Sequence, residues 1–301
     1  MCALDHRAAM RILIDPARPE AVTNQTMATY KQELCEALAP ASSAVLLDPI
    51  HGTEHALARG VVPRDVGVAV SAEDDCVADE DGARLSELLP DWSAERARRL
   101  GADGARLVIY YHPGHSESAA WQLRIVERFA GDCGRSDLPC IVAAFTYALD
   151  AEAPKAFARR RTELILESAR QVTALGVDLL ATEFPGDVRA TRDDGPLRAA
   201  CHRLDAASHA PWILLSAGVS YDEFTRQLRI ACEAGACGFV AGRVLWEEAF
   251  SITDVAARRR WLETVAASRL RRLADVAREY GRPWWAGRPT PRRPTNDVGT
   301  S

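Results

Sequence analysis

Short, mostly apolar runs alternate along the chain with longer amphipathic stretches rich in Arg, Glu and Ala. Runs of five to eight residues are typical of buried strands, whereas the amphipathic stretches have helical spacing. Their alternation predicts parallel strands joined by helices. The runs that qualify as strands lie at residues 2–6, 43–49, 66–70, 105–111, 139–145, 177–184, 211–218 and 237–243.

Helical patterns lie between these strands, at residues 27–38, 92–101, 117–131, 155–174, 190–207 and 221–234. Eight strands with interleaved helices predict an α/β fold of the closed (β/α)8 TIM-barrel type rather than an open doubly wound sheet. Residues 254–280 have the apolar spacing of one long Arg-rich helix that packs outside the barrel.

We expect one barrel domain over residues 1–281 and a Pro- and Arg-rich tail over residues 282–301, with Trp284 and Trp285 anchoring the start of the tail. The first strand begins at the N-terminus, at residue 2, which leaves little chain to complete its ladder. We therefore expect the natural start to lie further upstream.

Charge and composition exclude several classes of partner. The 301 residues carry a net charge of −5 with a pI of about 5.9, and arginines greatly outnumber the two lysines, Lys31 and Lys155. A cationic face for nucleic acid or for an acidic membrane is therefore not expected, nor is a membrane span. The eight cysteines are scattered without a CxxC pair, as in proteins with reduced thiols, so we predict a cytoplasmic protein.

Ligands of TIM barrels lie at the carboxyl ends of the strands, so polar residues there are the candidates for a site. They are, in chain order, Asp5, Arg7, Asp48, Glu73, Arg106, Tyr110, Glu183, Ser216, Gly218, Gly242 and Arg243. The turns at Ser216–Gly218 and Gly242–Arg243 offer backbone N–H groups, a hydroxyl and a guanidinium, which favours a phosphate site. Ordinary turn chemistry is the alternative interpretation.

Seven segments carry a resemblance: ALDHR, LLDPIHG, LLPDWSAERARRLGADGARLVIYYHP, DLPCIVAAFTYALD, VDLLATEFPGD, LSAGVSYDEF and AGRVLW. Together they resemble the class I tagatose-1,6-bisphosphate aldolase family, which includes the bacterial sulfofructose-phosphate aldolases. The resemblance runs in order from residue 2 to about residue 250. It implies a TIM barrel that cleaves a phosphorylated ketose through a Schiff base between the substrate carbonyl and a lysine.

The chain departs from this family at the positions that carry the chemistry. Ala181 stands where the resemblance implies the Schiff-base lysine, and Ala143 stands where it implies a glutamate acting as acid and base. Arg106 replaces a family lysine, which keeps the charge but loses amine reactivity. We predict that Lys31 and Lys155 lie on helices and face solvent or neighbouring helices, so that no lysine is relocated into the site.

The remaining polar residues support chemistry without a covalent intermediate. The resemblance implies pocket positions for Asp5, Arg7, Asp48, Arg106, Glu183, Ser216 and Arg243. Arg106 would polarise a carbonyl, and Glu183 would act as a base if burial and neighbouring groups raise its pKa. Alternatively, Glu183 is the ion-pair partner of Arg7 or Arg106.

Four histidines leave a metal site open as an alternative. His51 and His55 are four residues apart, and His112 and His115 follow the fourth strand, so the four imidazoles could together bind a metal electrophile. Exposed loop histidines are the other interpretation, and we predict neither a metal nor a cofactor.

Two functions follow from these residues. The first is an enzyme that acts on a phosphorylated ketose or related sugar phosphate by aldol or enolisation (isomerase- or epimerase-type) chemistry. Its catalytic residues would be Asp5, Asp48, Arg106 and Glu183, and its substrate-binding residues Arg7, Glu73, Tyr110, Ser216, Gly218, Gly242 and Arg243. The second is a catalytically inactive sugar-phosphate-binding sensor. In both cases we expect a homo-oligomer.

Overall fold

The computed structural model describes residues 1–74, 76–78, 82–150 and 152–285. Within these residues the strands are Cys2–Ala3 (β1), Ala44–Leu47 (β2), Gly67–Ser71 (β3), Val77–Ala78 (β4), Arg84–Leu85 (β5), Gly104–Tyr110 (β6), Cys140–Phe145 (β7), Leu179–Thr182 (β8), Trp212–Leu215 (β9) and Phe239–Val240 (β10). The strands β4 and β5 form a separate antiparallel hairpin.

The other eight strands form a closed barrel. They are parallel and neighbour one another in the order β1, β2, β3, β6, β7, β8, β9, β10. Cys2 also pairs with Ala241, directly after β10, and the N–H of Ala3 donates to the carbonyl of Ala241 at 2.8 Å. This contact joins the two ends of the sheet, and the predicted TIM barrel is confirmed.

Helices surround the barrel. They are Ala8–Ile14 (α1), Asn24–Leu38 (α2), Thr53–Ala58 (α3), Ala94–Arg99 (α4), Ser116–Arg135 (α5), Pro154–Thr173 (α6), Asp194–Ala207 (α7), Tyr221–Glu233 (α8), Arg243–Trp246 (α9), Val255–Trp261 (α10) and Ala267–Tyr280 (α11). A π-helical segment, Leu262–Ala266, joins α10 to α11, so the predicted helix over 254–280 is continuous apart from this change of pitch. Short 3₁₀ turns lie at Pro19–Ala21, Ala39–Ala41 and Glu247–Ser251.

Alternation along the strands separates two layers of core. One layer lies inside the barrel and is built from small and branched residues: Ala3, Leu46, Ala69, Ile141, Ala143, Ala181, Ile213, Leu215 and Val240. Residues at the alternate positions, such as Val142 and Leu180, pack outward against the helices. The interior layer therefore forms the apolar floor beneath any site at the carboxyl ends of the strands.

Six of the eight barrel strands are shorter than predicted, whereas β3 and β6 have the predicted length. Polar residues at several carboxyl ends lie just beyond the ladder. Glu183, for example, follows the last residue of β8, Thr182, instead of lying within the strand. The hairpin β4–β5 and the helix α1 were not predicted, since two to seven residues carry too little periodic pattern. No helix among the described residues is long and apolar enough to cross a membrane.

Candidate active site

A cavity of about 480 Å³ opens at the carboxyl ends of the barrel strands. Ten of the predicted site residues line it, namely Asp5, Arg7, Glu73, Arg106, Tyr110, Glu183, Ser216, Gly218, Gly242 and Arg243. Ala143 and Ala181 line it as well. These twelve residues lie on, or just after, seven of the eight barrel strands. A cavity of this size can hold a small-molecule ligand.

Arg106 lies between two carboxylates on one wall of the cavity. Its side chain projects from β6, and its Nη2 donates to Oδ2 of Asp5, which follows β1. The same nitrogen lies 2.8 Å from Oε1 of Glu73, which follows β3. Two carboxylates of the cavity wall, those of Asp5 and Glu73, therefore share one guanidinium.

The two carboxyl groups respond differently to this environment. Burial alone would raise the pKa of Asp5, but Arg106 and the neighbouring positive groups hold it below its usual value. Burial raises the pKa of Glu73 above its usual value. The positive charge of Arg106 only partly offsets this effect of burial, and the negative charge of Asp5 raises the pKa further. The pKa of Arg106 is raised by both carboxylates against the effect of burial.

His6 also lines the cavity, although the sequence analysis did not single it out. Its ring packs edge-on against Trp246, with centroids 5.2 Å apart, and its Nδ1 lies 3.6 Å from Oδ1 of Asp5. Burial lowers the pKa of His6 to about 4, so the imidazole is neutral near pH 7. Its place between Asp5 and Arg7 in ALDHR was the available signal.

Glu183 is held by donors on two sides. Its Oε2 accepts from the backbone N–H of Thr146 at 2.7 Å and from the hydroxyl of the same residue at 2.8 Å. Its Oε1 accepts from Nη2 of Arg161, on α6, at 2.8 Å. Glu183 thus forms an ion pair, as one interpretation of the sequence expected, but its partner is Arg161 and not Arg7 or Arg106. Three consecutive arginines at 159–161 gave no sign of which one turns inward.

Tyr110 faces the cavity, and its neighbour Tyr111 faces the opposite way, as strand alternation predicts. The hydroxyl of Tyr111 donates to Oε1 of Gln171 on α6 at 2.5 Å. The ring of Tyr110 stacks on Phe145 and has the guanidinium of Arg84 at 4.7 Å from its centroid. Burial raises the pKa of Tyr110, so its phenol is a hydrogen-bond donor at neutral pH.

The turn after β9 has an unusual backbone. The N–H of Val219 donates to the carbonyl of Ser216 at 3.1 Å, and both central residues have positive φ, 46° at Ala217 and 79° at Gly218. Alanine rarely adopts this left-handed conformation, so the turn carries strain beside the cavity. A capping box of Ser220 with Glu223 then starts α8.

The turn after β10 requires a glycine. A Cβ at Gly242 would lie 2.7 Å from Cε1 of His6 and 3.1 Å from the carbonyl oxygen of Ala3. The adjacent Arg243 is exposed and lines the cavity, and within the described residues its guanidinium forms no ion pair. A cation of this kind is available to an anionic group of a ligand.

Sequence comparison identifies the family of this chain. Residues 1–248 match the family described as DeoC/LacD family aldolase. The chain belongs to the DeoC/LacD aldolase family. The resemblance drawn from the sequence motifs is thereby confirmed.

Curated relatives of this DeoC/LacD family member cover nearly its whole length. Tagatose 1,6-diphosphate aldolase 2 of Streptococcus mutans is 27% identical over 303 residues, which are 94% of this chain and 91% of the relative. Tagatose 1,6-diphosphate aldolase of Staphylococcus aureus is 29% identical over 307 residues, again 94% and 91%.

Solved structures share the fold at lower identity. The fructose-bisphosphate aldolase of Plasmodium falciparum superposes with a TM-score of 0.68 at 14% identity, covering 93% of this chain and 90% of its own. An archaeal fructose-1,6-bisphosphate aldolase, whose catalytic Lys is covalently bound to the carbinolamine intermediate of its substrate, gives 0.59 at 17% identity, covering 93% and 94%. Likeness at these identities supports the barrel fold alone.

Asp48 lies outside the cavity of this DeoC/LacD protein. It is fully buried, and its carboxylate accepts from Nζ of Lys31 and from the backbone N–H groups of Ile50 at 3.0 Å and His51 at 2.8 Å. Burial acts to raise its pKa, but hydrogen bonding to His51 and the Lys31 ammonium together lower the pKa to about 2. Its contacts are those of a structural anchor.

The placement expected for Lys31 was wrong. The residue does lie on a helix, α2, but it is only 1% exposed, and its Nζ also donates to the carbonyl of Leu4 at 2.9 Å. It therefore ties α2 to the ends of β1 and β2. A helical pattern does not reveal where a long side chain ends, because four methylenes can carry the ammonium to a buried partner. Lys155 is exposed, as expected.

The histidines considered as metal ligands lie in separate environments. His51 contacts Asp48 through Nδ1, and its Nε2 lies 3.0 Å from the amide oxygen of Asn24. His112 lies elsewhere, with its Nε2 3.4 Å from a carboxylate oxygen of Glu152. His115 caps α5, and the side chain of His55 lies outside the described part of the structure. In that described part, no three His, Cys, Asp or Glu residues form a group that could hold a metal ion.

Proposed function

We propose that this protein is an enzyme that acts on a phosphorylated ketose or a related sugar phosphate, by enolisation or aldol chemistry without a Schiff base. One observation carries the proposal: the buried guanidinium of Arg106, flanked by two carboxylates, shares a cavity with the turns at 216–218 and 242–243. We call these two turns the anion-binding corner, after the phosphate that they are expected to hold. Ala143 and Ala181 line the same cavity, at the positions where the resemblance implies reactive groups. The names of the curated relatives, tagatose 1,6-diphosphate aldolases, support a sugar phosphate as the substrate class.

The strand order supports a defined orientation of the substrate. In the ring of eight strands, β6 is opposite β10, and β3 is opposite β9. A phosphate at Ser216–Gly218 and Arg243 would therefore direct the carbon skeleton across the barrel toward Arg106. The backbone N–H groups of the strained turn and the unpaired guanidinium are the donors that such a phosphate requires.

Arg106 would take the role of the electrophile. A carbonyl oxygen beside its guanidinium gains negative charge as a proton leaves the adjacent carbon, and a fixed cation in a buried site stabilises that charge. Five carboxylates line the cavity, of which Asp74 and Glu247 are the more exposed. Asp5, Glu73 and Glu183 are the three less exposed ones, and they can accept or return protons. A covalent bond between protein and substrate is not needed.

Ala143 and Ala181 favour the second candidate, a sensor that binds a sugar phosphate without turning it over. Against this stands the retention of three little-exposed cavity carboxylates, which repel an anionic ligand and would serve a binding protein poorly. Cytoplasmic location, supported by scattered cysteines without a CxxC pair, remains a prediction, as do the homo-oligomer and the lack of nucleic-acid binding.

The test is a panel of ketose phosphates monitored by NMR for cleavage or isomerisation, with calorimetric binding measured in parallel. Treatment with borohydride during turnover should leave the mass of the protein unchanged, because no lysine lines the cavity among the described residues. Turnover without an adduct supports the proposal. Tight binding without turnover would support the sensor, and an adduct on Lys31 or Lys155 would contradict the absence of a Schiff base.

A further inference from the structure

Glu73 differs from Asp5 and Glu183, the other two little-exposed carboxylates of the cavity, in how it is held. Its side chain is 14% exposed, its Oε1 lies 2.8 Å from Arg106, and its Oε2 accepts from the backbone N–H of Val108 at 3.1 Å. Nη2 of Arg7 donates to its backbone carbonyl at 2.9 Å. Contacts with residues of two other elements thus fix Glu73 at the cavity wall.

The charges around Glu73 do not balance. One guanidinium, that of Arg106, serves both Glu73 and Asp5, so the local sum over these three groups is one negative charge. The Arg7 guanidinium is paired with Asp74 at 3.8 Å, and His6 is neutral near pH 7, so neither supplies the missing positive charge. The arrangement makes one of the two carboxylates the better proton acceptor, and Glu73 is the one whose pKa is raised.

Glu183 is less suited to exchanging a proton. Its two oxygens accept three hydrogen bonds, and Arg161 supplies it with a cation of its own. Asp5 likewise has direct contact with Arg106 and lies 3.6 Å from the ring of His6. Both side chains are therefore held as acceptors.

We infer that Glu73 is the acid/base that moves the substrate proton in this site, in place of the glutamate that the resemblance puts at Ala143. The inference rests on the proposed function and selects one of its three carboxylates. Glu73 and a carbonyl oxygen would contact the same guanidinium, which places the carbon adjacent to that carbonyl beside the carboxylate. The sequence analysis assigned Glu73 to substrate binding only.

The proton transfer is balanced as follows. The carboxylate of Glu73 takes a proton from the carbon next to the carbonyl, and the electron pair of that C–H bond forms a carbon–carbon double bond. The carbonyl π electrons move onto oxygen, whose negative charge faces Arg106. Return of the proton from the Glu73 carboxylic acid to the same carbon regenerates the ketone. Delivery of that proton to the former carbonyl carbon instead gives the isomeric aldehyde, and the hydroxyl proton of the first carbon then moves to the former carbonyl oxygen.

Hydrogen–deuterium exchange tests this step without knowledge of the natural substrate. Dihydroxyacetone phosphate is incubated with the full-length protein in D₂O, and loss of the hydroxymethyl proton signal is monitored by NMR. We expect exchange in the wild type and a loss of about 100-fold or more in Glu73→Gln, with the dissociation constant changed by less than about fivefold. Glu87→Gln, an exposed glutamate outside the cavity, is the matched control and should exchange like the wild type.

A second variant separates catalysis from folding. Glu73→Asp keeps a carboxyl group and should retain measurable exchange, with a rate that rises through one ionisation as pH increases. Wild-type exchange rates in Glu73→Gln would overturn the assignment of Glu73 but leave the proposed function standing. Loss of phosphate binding in both variants would make Glu73 structural and overturn the assignment. A wild type that neither binds nor exchanges dihydroxyacetone phosphate would contradict the inference and the proposed function together.

Discussion

Ala143 and Ala181 are register partners on the neighbouring strands β7 and β8, and both methyl groups lie inside the barrel. They are 2% and 1% exposed. The family resemblance implies a glutamate and a lysine at these two positions, so a nucleophile and its acid/base are missing from adjacent points of one cavity floor. Glu73 follows β3, which lies three strands from β8 in the ring, so a lysine at position 181 alone would lack an acid/base on a neighbouring strand.

The pairing of Ala143 with Ala181 predicts the effect of placing a lysine at position 181. Ala181→Lys should show little aldolase activity, whereas Ala181→Lys combined with Ala143→Glu should exceed it by about 100-fold, the usual contribution of a placed acid/base. Ketose phosphate cleavage and the mass of the borohydride-treated protein are the measurements. The Ala143→Glu single variant is the control, and equal activity of the single lysine variant and the double variant would contradict the argument.

The anion-binding corner predicts a second result. Arg243→Gln should weaken binding of inorganic phosphate by about 10-fold or more, because a charge-assisted hydrogen bond contributes roughly 1.5–3 kcal/mol. Gly242→Ala should weaken it as well, since the new methyl group would displace His6. Isothermal titration calorimetry measures both.

Arg260→Gln is the matched control for this corner, because Arg260 is an exposed arginine at a distance from the cavity lining. In crystals grown with sulfate or phosphate, we expect an anion against residues 217–219 and 242–243. A corner filled by protein side chains under those conditions would contradict the phosphate site.

The barrel and many of the polar residues that line its cavity could be predicted from the sequence, because both depend on repeated patterns. Eight apolar runs fix the strand order, and a polar residue just after a strand must lie at the carboxyl end of the barrel. Partners brought from helices were not predictable. Arg161 and Lys31 reach Glu183 and Asp48 through long side chains on helices, and their sequence positions resemble those of solvent-exposed neighbours.

The ion pair of Glu183 with Arg161 allows a test of whether Glu183 is a catalytic base or a structural residue. A double-mutant cycle with Glu183→Gln and Arg161→Gln should give a coupling free energy of about 1–2 kcal/mol in urea unfolding. The exposed pair of Glu163 and Arg203, at 2.7 Å, is the control and should give less than about 1 kcal/mol. If Glu183→Gln abolishes turnover without loss of stability, the carboxylate is catalytic, as the sequence analysis proposed, and not mainly structural.

The buried pair of Asp48 and Lys31 predicts how stability depends on pH. The pKa of Asp48 is lowered to about 2 in the folded protein, below the ordinary aspartate value of about 3.9. Its contribution to the free energy of unfolding is therefore fully present above about pH 4 and is lost as the pH falls toward 2. The shift corresponds to roughly 2 kcal/mol. Urea unfolding of the wild type and Asp48→Asn should thus differ most near pH 7, and the difference should shrink by about this amount between pH 4 and pH 2. Asp65→Asn, at an exposed aspartate, should show no such change.

Lys31→Met should be still more destabilising near pH 7, by about 3–5 kcal/mol, because it leaves the Asp48 charge buried without its ammonium partner. A difference between the wild type and Asp48→Asn that stays constant from pH 7 to pH 2 would show that hydrogen bonds to the neutral acid, rather than its charge, hold α2 against the barrel.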